Sequence, residues 1–168
     1  MTQDHEPDAR QDTEPSAARP GSAARVTVRA AQGDGLTTHL VADGHPLVAD
    51  EPADVPGGHD SGPNPYGLLL AALGACTAMT LRLYADRKDW PLEEVRVELW
   101  HGRVHLEDCE ECDRKSSRID QIDVSLALEG PLDDEQRARL LEIAGRCPVH
   151  RTLTSETRIA IREDRASS

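Results

Sequence analysis

Asn64-Pro65-Tyr66-Gly67-Leu68-Leu69-Leu70-Ala71-Ala72-Leu73-Gly74-Ala75-Cys76-Thr77-Ala78-Met79 is the stretch on which the fold turns. Asn64 can accept from the free amides of a first helical turn. Pro65 suits the first helical position, where its missing N–H would have had no partner. From Tyr66 to Lys88 only Gly67 and Gly74 interrupt the run, which predicts a helix about 33 Å long. Through Met79 the helix is apolar on every side, so its first half is expected to be buried all round. A chain of 168 residues can hardly enclose such a helix by itself. Either a sheet wraps it, or two copies share one core.

The flanking segments read as strands and short helices. Val26 and Val28 alternate with polar residues, Gln32-Gly33-Asp34-Gly35 is a turn, and Leu36 to Val41 returns as a hairpin. Asp43-Gly44 precedes a short strand around Pro46 to Ala49, and residues 50–63 are a loop rich in Pro, Gly and Asp. Beyond Trp90-Pro91, the alternation of Val95, Val97 and Leu99 predicts a strand reaching toward Val104. Ile119, Ile122, Val124, Leu126 and Leu128 predict another. Asp133-Asp134-Glu135 suit the N-terminus of a second helix, which Gly145 ends, and a short third helix follows Cys147-Pro148. Ile159 and Ile161 alternate in a final strand, Arg158 to Arg162. The pattern is α+β with antiparallel hairpins. Residues 1–24 are expected to be a disordered acidic tail, 25–163 one folded domain, and 164–168 a disordered end.

Charge and composition narrow the function. Nineteen Lys and Arg face 31 Asp and Glu, a net charge of -12, which disfavours nucleic-acid and anionic-membrane surfaces. Aromatic residues are 2% of the chain and Phe is absent, which disfavours stacking platforms for single-stranded bases. The N-terminus has no signal-like apolar core, and the run Leu68 to Met79 is shorter than a bilayer span. A cytoplasmic protein with reduced thiols is expected, and each of its four cysteines is then a possible reagent.

Cys76 lies midway along the apolar helix, where a small buried core residue is one reading and a reagent the other. Cys147 precedes Pro148 at a predicted helix start. As N-cap it would meet free amides and the positive end of the helix dipole, which favour a thiolate. His150 and Arg151 follow within four residues and would add positive potential. A cysteine merely filling a helix corner is the alternative.

Together the cysteines carry a resemblance. Gly62 to Met79 resembles the first-cysteine helix of the OsmC/Ohr family, the osmotically inducible and organic hydroperoxide resistance proteins. Ala144-Gly145-Arg146-Cys147-Pro148-Val149-His150 resembles its second-cysteine motif. The resemblance implies an OsmC-like fold, an intertwined homodimer whose two long central helices are wrapped by antiparallel sheets. It implies a thiol-dependent peroxidase that reduces small organic hydroperoxides, with Cys76 peroxidatic and Cys147 resolving. An external dithiol would restore the pair without a bound cofactor. Cap physics, by contrast, makes Cys147 the more activated thiol.

Peroxidase members carry Glu where this chain has Tyr66, and that Glu holds an Arg over the reactive cysteine. Arg29 and Arg25 are candidates for the Arg, and Glu51 or Asp50 for the carboxylate, although no motif matches them. The Tyr66 form resembles a separate branch of the family, which also carries the loop His105-Leu106-Glu107-Asp108-Cys109-Glu110-Glu111-Cys112. His105, Cys109 and Cys112, with His101 as a fourth, have zinc-ligand spacing. A reversible disulfide and a plain exposed pair are the other readings. A dimer that binds an apolar ligand without catalysis, or senses redox state or zinc, is the alternative function.

Overall fold

Asn64 starts the long helix as the sequence predicts. In the computed structural model, which describes residues 24–105 and 118–163, its side chain accepts the Gly67 amide at 2.8 Å and Pro65 follows in the first turn. Helix α1 runs Pro65–Arg87. The element order is β1 (Val26–Arg29), β2 (Thr38–Ala42), β3 (His45–Ala49), α1, β4 (Glu94–His105), β5 (Arg118–Glu129), α2 (Asp134–Ala144) and α3 (Pro148–Thr154). Strands β1, β2 and β3 form an antiparallel sheet in that order, and β4 and β5 form a long antiparallel ribbon. The fold is α+β, as expected.

Helix α1 packs on β4, α2 and α3. Leu73, Thr77, Leu81 and Ala85 recur every fourth residue and form one buried stripe with Gly74. Leu81 and Ala85 meet Leu92, Leu132, Leu140 and Ile143 in the main core. Trp90 packs against this cluster and meets Tyr84 edge-on at 5.5 Å. Helix α2 begins with a reciprocal capping box between Asp133 and Gln136. Behind it the Arg137 guanidinium donates to the carbonyls of Leu128, Gly130 and Leu132. Gly130 has φ +125°, and an added Cβ would fall 2.1 Å from the Pro91 carbonyl oxygen.

Two expectations are corrected. Helix α1 is not buried all round within one chain: Met79 is 64% and Leu83 65% exposed, because a single ribbon and two short helices cover only one side. Residues 158–162 form no strand, and Ile159 and Ile161 are 85% and 93% exposed. Alternation there supplies a strand sequence, but among the described residues no neighbouring edge pairs with it. Trp100 lies on the outer face of β4 opposite Asp123 and is exposed. By length and composition α1 would also pass for a membrane span; its buried stripe against β4, α2 and α3 is that of a core helix. The proposed tail 1–24 lies outside the described residues except at Ala24, and residues 164–168 lie outside them entirely.

Candidate functional site

Cys147 sits where cap physics puts it. Its sulfur accepts the His150 amide at 3.3 Å as the N-cap of α3, and the residue is completely buried. The second partner of that sulfur comes from α1, 70 residues earlier: Thr77 Oγ1 lies 3.5 Å from Cys147 Sγ. Cys76, next to Thr77 on the helix, is half-buried and a free thiol, as is Cys147. The two cysteine segments therefore meet, and the residue in direct contact with Cys147 is Thr77. The Cys76 carbonyl accepts the Thr80 hydroxyl at 2.7 Å. A cavity of about 340 Å³ opens beside these segments, lined by Thr80, Leu83, Tyr84, Arg87, Ile143, Arg146 and Pro148. His150 contributes its amide, while its ring Nδ1 is buried without a hydrogen-bond partner among the described residues.

Tyr66 marks a second cluster, at the start of α1. Its ring lies flat on His101, with centroids 4.2 Å apart and planes 13° apart. His101 Nε2 is 3.0 Å from Asp120 Oδ1, and Arg103 Nε donates to the same oxygen at 3.3 Å. Bonds to Asp120 and then to the Tyr66 hydroxyl hold the Arg103 guanidinium above its usual range. In turn His101 and then Arg103 hold the Asp120 carboxyl below the usual carboxylate range. Tyr66 therefore does have an arginine neighbour, but it comes from β4, and its carboxylate comes from β5. The hairpin register places Arg103 directly opposite Asp120. A sequence search confined to the first strands cannot find either residue.

The other candidates fall elsewhere. Arg29 is exposed at the end of β1 and makes no hydrogen bond or ion pair among the described residues. Asp50 is buried, but as the organiser of the 51–63 loop. Burial would push its carboxyl up, yet the Thr37 hydroxyl at 2.9 Å and the amides of Ser61, Glu51 and His59 outweigh this and lower it to about 2. Glu51 serves through its backbone, donating to Asp50 and accepting the Asp60 amide. Of the zinc candidates, His101 is engaged by Tyr66 and Asp120, His105 ends β4, and Cys109 and Cys112 lie outside the described residues. Among the described residues no group of three or more His, Cys, Asp or Glu could hold a metal ion.

Solved structures of similar architecture place the fold. An OsmC-like protein from Mycoplasma pneumoniae superposes with a TM-score of 0.62 at 18% identity, covering 78% of this chain and 86% of that one. An organic hydroperoxide resistance protein OsmC from Legionella pneumophila gives 0.57 at 17% identity, covering 79% and 89%. An organic hydroperoxide resistance protein from Elizabethkingia anophelis, solved with thiocyanate bound, gives 0.59 at 18% identity, covering 82% and 91%. No curated protein sequence matches the chain. The family model described as OsmC-like protein matches residues 58–162, the span that holds α1, β4, β5, α2, α3, Cys76 and Cys147, and the chain belongs to that family.

Proposed function

We propose that the protein is a thiol-dependent peroxidase acting on small organic hydroperoxides, in cytoplasmic oxidative-stress defence. The single observation that carries this reading is the meeting of α1 with Cys147, through Thr77, beside Cys76. The Cys76 thiolate attacks the terminal peroxide oxygen. The O–O bond breaks, the alcohol leaves with a proton, and Cys76 becomes a sulfenic acid. Cys147 then attacks that sulfur, forming a 76–147 disulfide and expelling water. An external dithiol reopens the disulfide by exchange and leaves as its own disulfide. No bound cofactor takes part. The order of the thiols follows the family resemblance, and the complete burial of Cys147 suits a resolving thiol shielded from direct oxidation.

A second copy of the chain completes the particle. The exposed apolar side of α1, the unpaired segment bearing Ile159 and Ile161, and the outward Val26, Val28, Val41 and Leu47 of the small sheet all await cover of the kind a homodimer supplies.

Treatment with one equivalent of tert-butyl hydroperoxide, followed by mass spectrometry of the digested protein, tests the cycle. A 76–147 crosslink, lost in Cys76→Ser, is expected. Independent sulfinic acids without that crosslink would refute it. A groove of about 350 Å³ between α1 and β4, lined by Leu70, Ala71, Gly74, Ala75, Ala78, Val95, Val97 and Leu99, favours apolar-ligand binding as the second reading. Stoichiometric ligand retention, unchanged in Cys76→Ala and with no peroxide consumed, would favour it over catalysis.

A further inference from the structure

Cys147 Sγ has two partners of different kinds. The His150 amide is a fixed donor, whichever protonation state the sulfur has. The Thr77 hydroxyl can either accept from the thiol or donate to a thiolate. Thr77 is buried at 3% exposure, in the same stripe of α1 that packs the core, so its hydroxyl is held in place against the sulfur. Its backbone neighbour is Cys76, turned by one helical step of about 100°. Among the described residues the Cys76 thiol itself makes no hydrogen bond.

We propose that Thr77 is a positioning residue for disulfide closure: its hydroxyl holds the Cys147 sulfur against α1, one residue from Cys76, and turns to donate as that sulfur becomes the attacking thiolate. The inference deepens the peroxidase reading and rests on its pairing of Cys76 with Cys147, but it concerns the closure step alone. In that step a Cys147 thiolate attacks the Cys76 sulfur itself, the 76–147 bond forms, and the group carried on that sulfur leaves with the electron pair. The Cys147 thiol loses its proton to solvent before the attack. A hydrogen bond to a charged group lost at this point corresponds to a rate loss of about 10-fold or more.

Closure can be timed without any peroxide. In full-length protein with Cys109→Ser and Cys112→Ser, Cys76 is loaded with 2-nitro-5-thiobenzoate, and closure by Cys147 releases the coloured thiolate. Thr77→Val keeps the shape and removes the hydroxyl; Thr77→Ser keeps the hydroxyl and removes a methyl group. Release is expected to slow about 10-fold in Thr77→Val and to stay within about 3-fold of the parent in Thr77→Ser. A merely structural role would make the two variants track their melting temperatures instead. Unchanged release in Thr77→Val would overturn the proposal, as would equal slowing in Thr77→Ser, or a parent protein that never releases the thiolate. If Thr77→Val does not fold, Thr77→Ala takes its place with the same expected slowing. Hydroperoxide consumption is measured separately. Its absence beside normal, Thr77-dependent closure would sink the peroxidase reading and leave this inference standing.

Discussion

Tyr66 lies face to face with His101, 4.2 Å between ring centroids, which ties the first turn of α1 to β4. The stack is an attachment point at the end of a helix whose opposite side is uncovered. Offset or stacked aromatic pairs contribute about 1 kcal/mol beyond burial. Tyr66→Ala is therefore expected to lower the melting temperature by about 4 °C. Tyr66→Phe keeps the ring and loses only the hydroxyl bonded by Arg103, so its drop should be less than half as large. Differential scanning calorimetry at fixed protein concentration compares them, and equal losses would show that the hydroxyl, rather than the stack, is what matters.

Asp50 makes stability sensitive to acid. Its carboxyl is held at about 2, below the ordinary 3.8, so the folded state favours the ionised form. The stabilisation is complete above about pH 4 and is lost as pH falls through about 2. Asp50→Asn should flatten the fall in urea-unfolding stability between those values. It should also expose the 51–63 loop to proteolysis at neutral pH, because an amide nitrogen cannot accept from the Thr37 hydroxyl and three backbone amides that Asp50 gathers. An unaltered acid profile in Asp50→Asn would show that another carboxylate governs it.

Local chemistry was legible in the sequence wherever the partner lies within a few residues. Asn64 caps Gly67, Asp133 caps Gln136, and Cys147 accepts the His150 amide, each a contact between positions three apart. Contacts that depend on tertiary register were not legible. Thr77 touches Cys147 only because α1 and α3 pack together. Arg103 faces Asp120 only because the β4–β5 ribbon pairs in one register across its long connection. Asp50 looks like a loop carboxylate until residues 59–61 fold back on it. The alternation at Ile159 and Ile161 is a true strand pattern without a partner in one chain, and the apolar circumference of α1 likewise describes more burial than one chain supplies.

Leu81 is the centre of the core, fully buried against Leu92, Leu132 and Leu140. Leu81→Ala removes three carbons from a site walled by rigid elements, so little collapse can fill the void. A loss of about 3 kcal/mol in unfolding free energy is expected from denaturant titration. Leu153, at 42% exposure on the short α3, is the control: Leu153→Ala should cost less than about 1 kcal/mol.

Met79 and Leu83 lie one helical turn apart on the uncovered side of α1, 64% and 65% exposed. Two large apolar side chains on a helix this apolar are the kind of surface that soluble monomers seldom present as a continuous patch. A closed two-fold pair would bury the same residues from both copies, so a single charge is introduced twice at one interface. Sedimentation equilibrium of the parent protein is expected to give twice the 18.3 kDa chain mass. Met79→Glu, alone or with Leu83→Glu, should shift the mass toward that of one chain, while Leu153→Glu, on α3, should leave it unchanged. Because Met79 is not part of the main core within one chain, a dissociated variant should keep its helical circular dichroism, which separates loss of pairing from loss of folding. A parent protein that sediments as a single chain at all concentrations would remove the dimer and, with it, the explanation for the apolar side of α1.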